Sequence, residues 1–207
     1  LIFEGYEVLD WVTAVDSIDL SIENKYNIIG EVYQQREVNI QHGNYSVLKY
    51  KFSFDNKEER WNFSNFFKEC KGKHKQFFIP SFKNDYKLLY PVTQGEVFIT
   101  IKKSYEIVAF LEHQQFIYLE GEPQLFKIIE AYEEYDDQLH LPITTLKLNA
   151  SFSRDLVPEC DILQNCYFGR WNTDTLTYDM DDIYNSTASL EFREASKEEI
   201  EELFPWQ

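Results

Sequence analysis

The side chains able to move protons, attack as nucleophiles or ligate metals are four histidines, three cysteines and 36 acidic residues in 207. His42, His74, His113 and His140 are scattered. They form no His-x-x-x-His pair, and the sequence has no Gly-x-Ser-x-Gly elbow to present a nucleophilic serine. Cys70 and His74 stand four apart, a spacing that shares a face on a continuous helix, but Gly72 between them reads as a helix stop. Asp179, Asp181 and Asp182 resemble a calcium-collecting cluster without the glycine and terminal glutamate of a calcium loop, so a solvated turn is the simpler reading. Paired carboxylates also serve glycosidases, yet 36 acids bring pairs together by chance. Cys70, Cys160 and Cys166 cannot all pair within one chain and match no thiolate metal site. They read as buried free thiols, which suits a reducing cytoplasm. The sequence therefore predicts no catalytic centre, no metal and no cofactor.

What remains is chemistry of adhesion, and its residues depend on the elements that carry them. In Tyr45–Phe54 the apolar Leu48, Tyr50, Phe52 and Phe54 alternate, the period of a half-buried strand. Asp55 stops the strand and can cap a helix over 56–71, with Glu58 at capping-box spacing. Phe63, Phe66, Phe67 and Cys70 follow i, i+3, i+4, i+7 and form its buried stripe. At about 100° per residue, Trp61 lies roughly 160° from Phe63, on the opposite face. An outward tryptophan suits an interface anchor, or equally a site covered by a loop or the N-terminal arm. Arg36, flanked by Gln34, Gln35 and Glu37, reads equally as pairing with an acid across subunits or as facing solvent. The tail reads as a short acidic helix capped by Ser196 with Glu199 at N3, ending in Phe204, Pro205 and Trp206. Trp61, Arg36, Phe204 and Trp206 are the candidate interface residues.

Around this segment the chain is rich in strand patterns. Residues 1–26 read as an extended arm or edge strand. Ile28 to Ile40 read as one strand with a bulge near Gln34 and Arg36, and His42-Gly43-Asn44 as the turn of a hairpin into the Tyr45 strand. Gln76–Ile79 is a further strand. From Val92 short strands recur at Glu96–Ile101, Glu106–Leu111, Gln115–Glu120, Leu125–Tyr132 and Gln138–Leu141, with a break at Glu133–Asp137. This spacing suggests a small antiparallel barrel or sandwich. Val157-Pro158 leads back to strands at Ile162–Arg170 and Ala188–Arg193. The expected fold is mainly β. A β-sandwich or split barrel with one flanking helix is made from 1–90 and 156–195, a small antiparallel β-barrel is inserted at 91–155, and 196–207 form a C-terminal acidic arm.

The formal charge of −16 argues against binding duplex DNA or anionic membranes through the overall field. It permits a pore through which DNA slides without sticking. Aromatics at 17% of residues suit sheets and large interfaces. No apolar run approaches the ~18 residues that span a bilayer, and no signal-peptide core is visible. The sequence opens on Leu1 rather than Met, which leaves room for a few preceding residues.

The order of features adds a resemblance. Leu9-Asp10-Trp11, Gln35-Arg36-Glu37, the alternating aromatic strand, the helix with its aromatic pair, Phe78-Ile79-Pro80-Ser81-Phe82 and the late Leu190-Glu-Phe-Arg-Glu194 strand resemble a family of tail proteins of long-tailed bacteriophages and prophage-like particles. Phe82 stands where those relatives usually carry tryptophan. The resemblance implies a tail-tube-like β-sandwich of the distal-tail type, assembled as a homo-oligomeric ring around a DNA channel at the tail tip or baseplate. Its implied partners are copies of itself and the tube, tape-measure and baseplate-hub proteins, with DNA only in transit. Its place is the virion tail, assembled in the host cytoplasm without membrane insertion. A different class, a β-sandwich carbohydrate-binding module, is the leading alternative, since exposed Trp and Tyr stack on sugars. An enzyme stands third.

Overall fold

The computed structural model describes residues 1–11, 15–23, 26–28, 38–40, 45–102, 116–180 and 185–204. Within them lie β1 (Ile2–Phe3), β2 (Tyr6–Glu7), β3 (Val15–Glu23), β4 (Tyr26–Ile28), β5 (Val38–Ile40) and β6 (Tyr45–Phe54), then the helix α1 (Lys57–Glu69). Next come β7 (Phe77–Pro80), β8 (Phe98–Lys102), β9 (Phe116–Leu119), β10 (Phe126–Asp136), β11 (Leu141–Leu148), β12 (Leu163–Trp171), β13 (Asp179–Met180), β14 (Ser186–Glu194) and a short helix α2 (Lys197–Leu203). The chain is mainly β, an antiparallel sandwich-type fold with one substantial flanking helix. It divides into two compact units, one of Leu1–Trp11 with Phe77–Phe168 and one of Val12–Gln76 with Gly169–Gln207.

The second of these carries α1. Its strands run β3-β6-β14, with the end of β12 on β14 and β13 on the same strand. β6 meets β14 in antiparallel register, Leu48 opposite Phe192, Tyr50 opposite Leu190 and Phe52 opposite Ala188. All six side chains are buried while Lys49 and Lys51 are exposed, so the period-two pattern has sorted one face inward. Phe63 of α1 lays its ring 4.8 Å from Phe52, 5.0 Å from Phe54 and 6.1 Å from Trp171. Each such ring removes a large apolar area from water, so the cluster contributes strongly to the unit's stability. Gly169 is required here, because a Cβ at that position would stand 2.1 Å from the Arg193 carbonyl oxygen.

The other unit closes into a small barrel. Its strands run β12-β9-β10-β11-β8. The chain between β7 and β8 then bridges both edges, Leu88 pairing with Ile101 of β8 and Tyr86 with Leu163 of β12. Closure leaves no open edge across that gap. Inside lie Ile99, Ile101, Leu119, Phe126, Leu146, Leu163 and their neighbours, with Phe152 packed 4.7 Å from Phe126. Val92 and Leu156 exchange backbone hydrogen bonds of 3.1 and 2.8 Å, so the two ends of the strand-rich stretch meet. β7 is buried along its whole length, and Phe78 gathers Phe3, Phe116 and Phe168 at ring distances of 5.6, 4.9 and 4.7 Å. After Pro80, the Ser81 hydroxyl bonds the Asp85 carboxylate. Phe82 takes a left-handed φ of +55°, with its N–H on Gln164 Oε1 at 2.9 Å.

Several expectations are corrected by these pairings. The division falls at Phe77 and Phe168 rather than at residues 91 and 155, because β7, the first eleven residues and much of β12 pack with the barrel. An inserted β unit remains, but a wider one. Ile28 to Ile40 is not one strand, since Ile28 pairs antiparallel with Val38. β5 pairs with β4, whereas β6 takes β3 and β14, so β5 and β6 do not form the expected hairpin. The expected Glu106–Leu111 strand and the turn at 42–44 lie outside the described residues. β3 is the expected edge strand, on β6. Glu133–Asp137 is no break, because β10 runs to Asp136 against β11, and residues 137–140 are the turn instead of a strand. Cys70 and Cys166 are buried free thiols, but Cys160 is exposed.

Gly169→Ala is expected to destabilise the protein by about 2–3 kcal/mol, the scale of overpacking, because backbone rather than a flexible side chain blocks the new methyl. Urea denaturation followed by circular dichroism measures it, and an unchanged midpoint would contradict the close approach.

Candidate interaction surface

α1 forms where the sequence places it, with its start displaced by one residue. Asn56, not Asp55, is the N-cap: its Oδ1 accepts from Glu59 N–H at 2.9 Å, and Glu59 Oε2 accepts from Asp55 N–H at 3.2 Å. Asn places its amide oxygen as well as Asp does at this position, and the acid that reaches back is Glu59 instead of Glu58, bonding the residue before the cap. The helix ends at Cys70, and Gly72 leaves in the left-handed region at φ +59°. Phe63, Phe66, Phe67 and Cys70 are all buried. Trp61 is 65% exposed, on the outward face as its angular position requires.

The flank beside Trp61 is fixed. The Arg60 guanidinium lies 3.0 Å from Met180 Sδ, and the Tyr178 hydroxyl donates to the Arg60 carbonyl at 3.0 Å and meets the Ser64 hydroxyl at 2.7 Å. Burial pushes the Tyr178 phenol above its ordinary value, against the smaller opposing pull of Ser64 and Arg60. Met180, 53% exposed, thus extends the apolar surface near the start of α1. Of the other interface candidates, Phe204 is 7% exposed. It follows the capping box of Ser196 and Glu199 and packs on its own chain, so it is corrected from an interface residue to a core residue. Arg36 and Trp206 lie outside the described residues.

The structure adds a surface that the sequence reading missed. β10 and β11 make a hairpin whose base is buried at Phe126 and Ile128 and whose far end is exposed, with Tyr132, Tyr135 and Leu139 at 45, 60 and 43%. Glu133–Asp137 has no apolar period because both faces there meet solvent. The buried Ile143, Leu146 and Leu148 on β11 were the signal that a partner strand follows. Asp136 holds the turn, accepting from Gln138 and Leu139 N–H at 2.8 and 2.9 Å. The Tyr90 hydroxyl bonds the same carboxylate and, with those amides, holds it below the usual range.

Among the described residues no three His, Cys, Asp or Glu side chains converge to hold a metal ion. Cys70 is fully buried, and His74, beyond the helix end, is exposed. The buried acids Glu122 and Asp161 both address one base: Arg154 lies 2.5 Å from Asp161 Oδ1 and 3.9 Å from Glu122 Oε1. Burial works to raise the Asp161 carboxyl, but Arg154 and the Val157 N–H outweigh it and hold the group below its ordinary value. An acid so stabilised as carboxylate is a clamp between the 120–122 turn and the 154–161 loop, not a proton donor. No helix among the described residues is long and apolar enough to cross a membrane.

No protein-family model matches the sequence, and no curated protein is significantly similar to it.

Two outcomes follow from the geometry. Phe63→Ala should cost about 3–5 kcal/mol of stability, whereas Trp61→Ala should stay within about 0.5 kcal/mol. Denaturant titration of both variants checks this, and similar losses would place Trp61 in the core. Asp161→Asn should cost about 2 kcal/mol at pH 7, below the full scale of a buried pair because Arg154 keeps 39% side-chain exposure. Since the folded carboxyl titrates below its unfolded value of about 3.9, the wild-type advantage is present above that pH and fades as pH falls through the folded value. The gap between the wild-type and variant midpoints should therefore be smaller at pH 3 than at pH 7. A gap that widened there would reverse the assignment.

Proposed function

We propose that the chain is a virion structural protein of the distal-tail type, forming a homo-oligomeric ring at the tail tip or baseplate. The observation that carries this reading is Trp61, 65% exposed on a helix whose opposite stripe is buried. A large aromatic held outward by a rigid element is the kind of anchor that interfaces use. The mainly β fold with one flanking helix supports it, as does the order of motifs resembling tail proteins. In a ring each modest contact is repeated by symmetry until the circle closes. An acidic chain of charge −16 around the channel would repel phosphates, so that DNA passes without adhering. Tube, tape-measure and hub proteins are the other neighbours of this proposal.

Negative-stain images and light scattering of the purified protein are expected to show closed rings with a central opening. Trp61→Ala and Trp206→Ala should each weaken assembly by about 2 kcal/mol per interface with little change in melting temperature. Normal assembly of both variants would remove the anchors. A wild type that stays monomeric at high concentration and never enters a particle would remove the ring.

A further inference from the structure

Charge is unevenly placed in this acidic chain. Residues 68–75, which close α1 and lead to β7, hold four lysines against one glutamate, the densest run of base in the sequence. Lys68, Lys71, Lys73, His74 and Lys75 are exposed. The turn is stiff: Lys71 and Gly72 occupy successive left-handed positions at φ +51° and +59°. Lys75 N–H bonds the Cys70 carbonyl at 2.9 Å, and Lys73 N–H bonds Asp174 Oδ1 at 3.1 Å. The Lys73 ammonium is 3.8 Å from the same carboxylate, with both partners more than half exposed, so that contact neutralises little of the patch.

The acidic counterpart is the β10–β11 hairpin. Residues 130–137 carry five acids and no base. Glu130 is engaged by Lys147 at 3.2 Å and Asp136 by its own turn. Glu134 and Asp137 remain exposed beside Tyr135 and Leu139. The tip thus combines outward carboxylates with exposed apolar area on a hydrogen-bonded support.

We propose that the hairpin of one copy docks on the lysine turn of the next, the tyrosine and leucine supplying buried area and the charges supplying orientation. This rests on the ring reading and names its contact. Two copies of a chain at −16 repel wherever acid meets acid, and the lysine turn is where an acidic element can approach with attraction. Because the two patches differ, the contact can pass head-to-tail from copy to copy, and it generates a ring where the rotation closes.

The test uses the full chain in two charge-reversed forms, Glu134→Lys with Asp137→Lys and Lys68→Glu with Lys71→Glu, each checked by its melting curve. Sedimentation velocity should show wild-type rings that weaken as salt rises. Each reversed form alone should need about tenfold or more higher concentration to assemble. An equimolar mixture of the two should assemble again, since acidic hairpins then meet basic turns and basic hairpins meet acidic turns. In a mixture of isotopically light and heavy wild type, carbodiimide cross-links between these segments should join light to heavy chains. Wild-type rings with both reversed forms assembling normally, or a mixture without rescue, would overturn this contact and leave the ring standing. Cross-links confined to single chains would overturn it too. A wild type monomeric under all conditions would overturn both the contact and the ring, and leave the patches to partners other than this chain.

Discussion

The packing of Phe63 against Phe52, Phe54 and Trp171 is the constraint on which the functional surface depends. An isolated helix of thirteen residues is marginal in water, so α1 exists because its aromatic stripe has a sheet to lie on. Once that stripe is committed, helical geometry leaves Trp61 no choice but to face outward. The same packing orients the end of α1, and with it the lysine turn. Both proposed contact regions of the helical unit therefore follow from one cluster of rings.

How much of this was legible depended on whether a single face of an element was buried. β6, α1 and β14 each bury one face, and their residues could be read from the sequence almost to their ends. The cap moved from Asp55 to Asn56 because both residue types serve, and spacing alone does not choose between adjacent candidates. β10 was cut short since its last residues are solvated on both sides, where backbone pairing holds the strand without an apolar pattern. The hairpin tip was lost with it. The unit boundary was misplaced for a different reason. β7 reads as an ordinary apolar strand, and nothing in its composition says which core receives it. Phe204 shows a similar limit: a terminal aromatic looks adhesive in sequence, and only the fold reveals that its own chain covers it.

The barrel unit handles polarity differently from the helical one. Its interior is a continuous apolar set closed by Tyr86 and Leu88, yet charged groups enter where loops cross its end. There Glu122 and Asp161 converge on Arg154, and the Ser81–Asp85 and Tyr86–Asn165 pairs tie the β7 exit to β12. Removing one member of such a group leaves a buried partner without compensation, so these contacts fix the placement of the loops and are costly to break. The hairpin escapes that regime: beyond Ile128 it leaves the core and is free to carry charge outward.

Of the four tryptophans, Trp171 and Trp61 sit on opposite sides of α1. Trp171 is fully buried among phenylalanines, and Trp61 stands in water on the other side of the same helix. The first should emit toward the blue and resist aqueous quenchers. The second should emit toward the red and be quenched until something covers it. With Trp11→Phe and Trp206→Phe in place, one chromophore therefore reports the integrity of the fold and the other the occupancy of the helix face.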